Sequence, residues 1–204
     1  MVKTYKISRG DLTFILSLLF ILGFVAGSVL VPQKTVFQNT EIQAVSIDGA
    51  KIVEMGIPAV DEKGNGVIGT LITTVRPGTG QVLVNVNDVL ALFDTQLSGR
   101  TAAQAASNFT KISLSNVDII YDIRVNASVI EGPSAGASMA ASIVIALENI
   151  PASDKIMMTG TILENGTIGS VGAILEKARA AKETGATIFL VPKGQSTQLT
   201  SKRM

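Results

Sequence analysis

The 204-residue chain has no cysteine, no histidine and no tryptophan, and aromatic residues make up only 4% of it. Two of these absences exclude whole chemistries. Without histidine there is no Ser-His-Asp triad and no HExxH zinc site. Without cysteine there is no thiolate nucleophile, disulfide, Cys/His zinc cluster or cysteine-ligated iron–sulfur centre. A nucleophile must then be Ser, Thr, Lys, Tyr or a carboxylate, and a general base must be Lys, a carboxylate or a terminal amine. Charge is sparse too, at 16% of residues with a formal net of +1, so no global field draws the chain to nucleic acid. No segment reads GxxxxGK followed by Ser or Thr, so no Walker-type phosphate loop is present in these residues. The length fits one domain plus a short appendage.

What is plentiful is apolar sequence, 47% of the chain, and much of it lies at the start. Lys3, Lys6 and Arg9 precede an uncharged stretch over 12–31 that closes at Pro32. Twenty helical residues at about 1.5 Å each span roughly 30 Å, the thickness of a hydrocarbon core. The expectation is either a signal anchor with its basic end in the cytosol or a signal peptide cut near Ala26-Gly27-Ser28. Both place the rest outside the cytosol, as a single-pass membrane protein or a secreted one. Without the three leading cations, 14 basic residues face 16 acidic ones, a net charge of about −2 with no basic patch. Nucleic acid is therefore not an expected partner.

Residues 33–41 read as a polar tether, and 42–204 as the domain proper. From 42 to about 87 the pattern is β, with Asp48-Gly49 and the cluster Lys63-Gly64-Asn65-Gly66 as hairpin signals. A strand over 67–75, a turn over Arg76-Pro77-Gly78-Thr79-Gly80 and a return strand over 81–86 follow. Asn87-Asp88 offers a helix cap, and helical sequence runs to about Lys111 with an interruption near Ser98-Gly99. Next come a strand over 117–125, an alanine-rich helix over 134–149, a strand over 155–161, a helix over 173–184 and a strand over 187–191. Strands and helices mix without regular βαβ alternation, so the fold class is α+β, mixed sheets with packed helices.

The chemistry must come from a hydroxyl and a lysine. Ser134 stands in Glu131-Gly132-Pro133-Ser134-Ala135-Gly136, ahead of a helix that puts Met139, Ile143 and Leu147 on one face. At a helix N-terminus, free N–H groups and the macrodipole favour a developing oxyanion. Gly132, Ala135 and Gly136 leave room around the hydroxyl. The plainer reading of Ser134 is a helix N-cap. A lysine base must be neutral, which requires desolvation and no carboxylate neighbour. Lys177 has Ala173, Ile174, Ala180 and Ala181 at helical contact spacing, whereas Arg179 has Glu176 and Glu183 and reads as a solvated pair. The plainer reading of Lys177 is a snorkelling side chain at the edge of an apolar stripe.

These segments resemble, in order, the proteolytic domain of Lon-type proteases, over about residues 67–191. The match runs through Gly78-Thr79-Gly80, then Glu131-Gly132-Pro133-Ser134-Ala135-Gly136, then Met158-Thr159-Gly160, then Gly169-Ser170-Val171-Gly172 and Glu176-Lys177. The resemblance implies a Ser–Lys dyad endopeptidase: Ser134 as nucleophile, Lys177 as general base, Thr159 as a hydroxyl orienting the lysine, and Glu131 and Ala135 in support. It implies no metal and no cofactor. Its expected substrates are unfolded proteins or peptides, with hydrolysis independent of ATP. The form is archaeal-like, membrane-anchored through 12–31 and without the AAA+ unfoldase. Glu131 stands where many relatives carry Asp. The chain also stops at Met204, short of a further strand and helix, so a truncated form is expected. Oligomeric state is left open, a homo-oligomer included. Two other readings compete: a catalytically silent membrane-tethered binding module of the same fold, and a small-molecule kinase, for which Pro133 and Ser134 stand where a phosphate loop wants glycine.

Overall fold

The computed structural model describes residues 43–44, 48–85, 90–91, 93–125, 129–130 and 133–197. They fall within one compact unit, Thr40–Met204. The expected membrane segment 12–31, the tether up to residue 41, the Asn87-Asp88 cap and Glu131 lie outside the described residues. Among the described residues no helix is long and apolar enough to cross a membrane.

The strands are β1 (Gln43–Ala44), β2 (Lys51–Val60), β3 (Gly66–Pro77), β4 (Val82–Asn85), β5 (Leu90–Ala91), β6 (Ile112–Ser113), β7 (Val117–Arg124), β8 (Val129–Ile130), β9 (Ile156–Met158), β10 (Thr161–Ile162), β11 (Ile168–Gly169) and β12 (Ile188–Leu190). The helices, numbered in chain order, are α1 (Phe93–Thr110), α2 (Gly136–Glu148) and α3 (Ile174–Glu183). The architecture is mixed α and β, as expected. It includes one four-stranded sheet in the order β2-β3-β7-β4 and several two-stranded pairings.

Period-two alternation decides which face of the main sheet is buried. Val53, Met55 and Ile57 of β2 point inward beside Leu71, Thr73 and Val75 of β3 and Val117, Ile119, Tyr121 and Ile123 of β7. Register stacks them in rows: Met55 pairs with Leu71 and Leu71 with Ile123, while Val53 pairs with Thr73 and Thr73 with Tyr121. Burying each large aliphatic contributes about 1.5–3 kcal/mol. That outweighs the two hydroxyls in the rows, and both are satisfied, Thr73 by Ser142 Oγ at 2.7 Å and Tyr121 by the Met139 carbonyl at 3.4 Å. Ser142 in turn donates to the Met139 carbonyl at 2.8 Å. Helices α1 and α2 cover this face with Ala102, Ala103, Ala105 and Ala106 from one and Met139, Ile143 and Leu147 from the other.

Four local expectations are corrected. The segment after the 76–80 turn does not return against β3. Instead β4 runs parallel to β7, and β7 lies between β4 and β3. The cause is Asp118 at the start of β7, whose carboxylate accepts the N–H groups of Thr79 (2.8 Å) and Gln81 (3.1 Å) and so sits inside the turn. A Cβ on Gly78 would collide with that carboxylate. Next, α1 passes through Ser98-Gly99 without a break. Gly99 is there for closeness, since a Cβ would come within 2.9 Å of Val84 and 3.3 Å of Tyr121. Third, Asp48-Gly49 closes no β1–β2 hairpin, because β1 pairs in parallel with β6. Last, α2 begins at Gly136, two residues after Ser134. Lys63-Gly64-Asn65-Gly66 does turn β2 into β3, with the Asp61 carboxylate gathering the N–H groups of Lys63 and Asn65.

Candidate active site

Ser134 is half-buried in a turn that leads into α2, closed by the Gly136 N–H on the Pro133 carbonyl at 3.0 Å. Its position is fixed through its main chain. The Ser134 carbonyl accepts the Gly160 N–H at 2.9 Å and the Thr159 hydroxyl at 3.3 Å, while the Ala137 N–H donates to the Gly160 carbonyl at 3.0 Å. The helix cap is Ala135, with no side-chain capping bond, so capping is not the role of the Ser134 hydroxyl. Gly136 does not open the site as expected. It is packed against β10, where a Cβ would lie 2.7 Å from Ile162 Cγ2. The first helical N–H groups, those of Gly136 and Ala137, are engaged, whereas no carbonyl among the described residues takes those of Ser134 or Ala135. Oxyanion donors are therefore to be sought in the turn and not in the helix.

Lys177 is not a snorkelling side chain. It is 4% exposed and lies within the buried stripe Ile174, Ala180 and Ala181 of α3. Arg179 is exposed and closes no ion pair with Glu176 or Glu183. The Lys177 Nζ donates to Thr159 Oγ1 at 3.4 Å, and Thr159, 2% exposed, in turn donates its hydroxyl hydrogen bond to the Ser134 carbonyl. Burial lowers the lysine pKa from its ordinary value, because the charged form loses its hydration and no carboxylate bonds it.

No hydrogen bond joins Ser134 to Lys177 directly, yet they share two hollows. One of about 410 Å³ is lined by both residues with Ala135, Thr95, the β2 stretch Ile57 to Val60 and the hairpin acids Asp61 and Glu62. The other, of about 370 Å³, shares Val60, Ser134 and Lys177 and continues along Ser170, Val171, Gly172 and Ala173. The pair thus stands between two concavities, the placement a reacting bond needs when chain extends to both sides.

Thr95 and the β2–β3 hairpin were not singled out as site residues by sequence reasoning. Thr95 carried a usable signal: it opens the buried stripe of α1 that continues at Ser98, Gly99 and Ala102, where an apolar residue is the norm. Asp61 carried none beyond its turn. Its carboxyl is held below the usual range first by the Asn65 side-chain amide and then by the Asn65 N–H, so it stays ionised at the mouth of the hollow. Among the described residues no group of three or more acidic side chains could hold a metal.

Residues 66–202 match the family model described as the Lon protease (S16) C-terminal proteolytic domain. Relatives include Lon protease 2 of Bacillus subtilis, 41% identical over 75 residues, 35% of this chain and 14% of that protein. Lon protease 1 of Syntrophobacter fumaroxidans is 31% identical over 150 residues, 68% of this chain and 17% of that protein. Archaeal Lon protease of Thermococcus kodakarensis is 27% identical over 164 residues, 75% of this chain and 24% of that protein. The chain spans 14–24% of the length of these relatives.

Proposed function

The chain belongs to the Lon protease family through its proteolytic domain, a serine peptidase domain, and from that premise we propose that it is an endopeptidase working by a Ser134–Lys177 dyad. The observation that carries this reading is the burial of Lys177 without a carboxylate partner, tied through Thr159 to the main chain of Ser134. A lysine so placed is poised to be neutral. In the reaction its Nζ takes the proton of Ser134 Oγ as the oxygen bonds to the scissile carbonyl carbon. The N–H groups of Ser134 and Ala135 receive the oxyanion. When the tetrahedral intermediate collapses, the C–N bond breaks, the lysine returns its proton to the leaving amine, and an acyl-Ser134 ester remains. Water, deprotonated by the same lysine, then releases the acid and restores the hydroxyl. A direct bond between the two side chains is expected to form around substrate, where such contacts tighten.

Substrates under this reading are unfolded polypeptides or flexible peptides, and ATP is not required, since these residues carry no Walker sequence. Residues 12–31 hold the chain at a membrane with 33–204 outside the cytosol. A fluorophosphonate probe tests the core of the proposal. Ser134 is the expected adduct, and Ser134→Ala, Lys177→Ala and the double variant should all lose labelling and hydrolysis to the same floor, because the two groups act as one unit. Labelling elsewhere, or near-normal turnover by Lys177→Ala, would reject the dyad. A silent binding module or a kinase would give no adduct at all.

A further inference from the structure

Thr95, in the first turn of α1, is 3% exposed, and its Oγ1 is the one buried side-chain oxygen or nitrogen among the described residues that meets no hydrogen-bond partner. Of the other buried hydroxyls all are bonded but Ser98, whose oxygen is not fully enclosed. Thr73 and Ser142 bond each other, Ser107 donates to the Ile112 carbonyl, Ser138 to Met158 and Thr159 to Ser134. Two threonines at helix C-terminal ends bond back one turn, Thr110 to Ala106 at 2.8 Å and Thr184 to Ala180 at 3.1 Å. Thr95 stands at the start of its helix, where the preceding turn does not exist, so that route is closed. A buried hydroxyl without a partner is destabilising and calls for an explanation.

The explanation lies in where it stands. Thr95 lines the hollow of about 410 Å³ together with Ser134, Ala135 and Lys177, among the apolar walls of Ile57 and Ile123. A polypeptide seated there brings a C=O and an N–H with every residue, and those groups lose water where they settle against the Ile57 and Ile123 wall. A hydroxyl can donate to the one or accept from the other. We propose that Thr95 is a substrate-contact residue, its enclosed hydroxyl turning about χ1 to bond a main-chain peptide group of the polypeptide whose scissile bond lies at Ser134. The assignment rests on the protease reading above and adds a binding role on a helix that carries neither member of the dyad.

Thr95→Val keeps the shape and removes the hydroxyl, and Thr95→Ser keeps the hydroxyl. In the full 204-residue chain, Thr95→Val should lower kcat/KM on an unfolded protein about five- to tenfold, the loss of one hydrogen bond. Its Tm should be unchanged or higher, because nothing in the free protein uses the hydroxyl. Ser134 labelling by diisopropyl fluorophosphate, which has no peptide group, should keep its wild-type rate, and Thr95→Ser should return kcat/KM to within twofold. Unchanged kcat/KM in Thr95→Val, with an active wild type, would overturn the contact and leave the protease reading standing. A fall in both Tm and labelling would overturn it by making the hydroxyl part of the fold. A wild type that neither hydrolyses nor labels would overturn both.

Discussion

Lys177→Met should yield a protein that is inactive and more stable. The ammonium of Lys177 is buried and uncompensated, so the folded state disfavours its charge and its pKa lies below the ordinary 10.5. The unfolded chain keeps the ordinary value. Between the two pKa values the unfolded state binds the extra proton, so stability rises with pH across that window and the full penalty is present below it. Each unit of depression corresponds to about 1.4 kcal/mol of lost stability at neutral pH. Methionine fills a similar volume, carries no charge and removes the penalty. It also removes the 3.4 Å bond to Thr159, worth about 1 kcal/mol, but Thr159 keeps its partner at the Ser134 carbonyl and is not orphaned.

The variant's advantage should therefore be largest near neutrality, shrink on alkalinisation and vanish by about pH 10.5. In a chain of this size 1 kcal/mol is read as about 2–4 °C in Tm. Thermal unfolding of both proteins from pH 6 to 10.5, followed by circular dichroism, supplies the comparison. Wild-type turnover should rise over the same window as the lysine loses its proton. A Lys177→Met protein less stable than wild type at pH 7, by an amount that does not change with pH, would mean that the lysine is charged and held in the fold, and the base assignment would fall.

Thr159→Val removes the hydroxyl between Lys177 and the Ser134 carbonyl; kcat should fall more than KM changes, with a stability loss of about 1 kcal/mol in urea unfolding, and full activity would show that the lysine needs no orientation. Gly66→Ala should cost about 1–3 kcal/mol and most of the activity, because the new methyl collides with the Glu176 carbonyl, one residue before Lys177, whereas Gly172→Ala, with nothing within 4 Å, should leave stability unchanged. Protease added to intact cells should digest residues 33–204 and spare the extreme N-terminus, as Lys3, Lys6 and Arg9 require; protection of the domain would reverse the orientation.

Much of the fold was legible because it depends on local periodicity. The inward rows of β2, β3 and β7, and the Met139, Ile143, Leu147 face of α2, follow from spacing alone. What failed was pairing, which depends on residues far apart in sequence. Nothing within 76–86 reveals that the Asp118 carboxylate will occupy the turn and that β7 will part β3 from β4. Gly99 misled for a related reason. A glycine in helical sequence signals a break unless the opposing surface is known, and here that surface is Val84 and Tyr121.

The site divides along the same line. The candidacy of Lys177 was readable because what it needs is an absence, no acid three or four residues away on its helix, and absences of that kind are local. The reason Ser134 is held where it is was not readable, since its anchor is Thr159-Gly160, some 25 residues away in sequence, and works through main-chain bonds that no side-chain pattern records. Thr95 lies between these cases. Its place on the buried stripe of α1 is local information, but its lack of a partner exists only once β2 and β7 have closed the hollow around it. A polar residue on an apolar stripe therefore has two outcomes. Thr73 finds Ser142 and becomes part of the core, and Thr95 finds nothing and is left for a ligand.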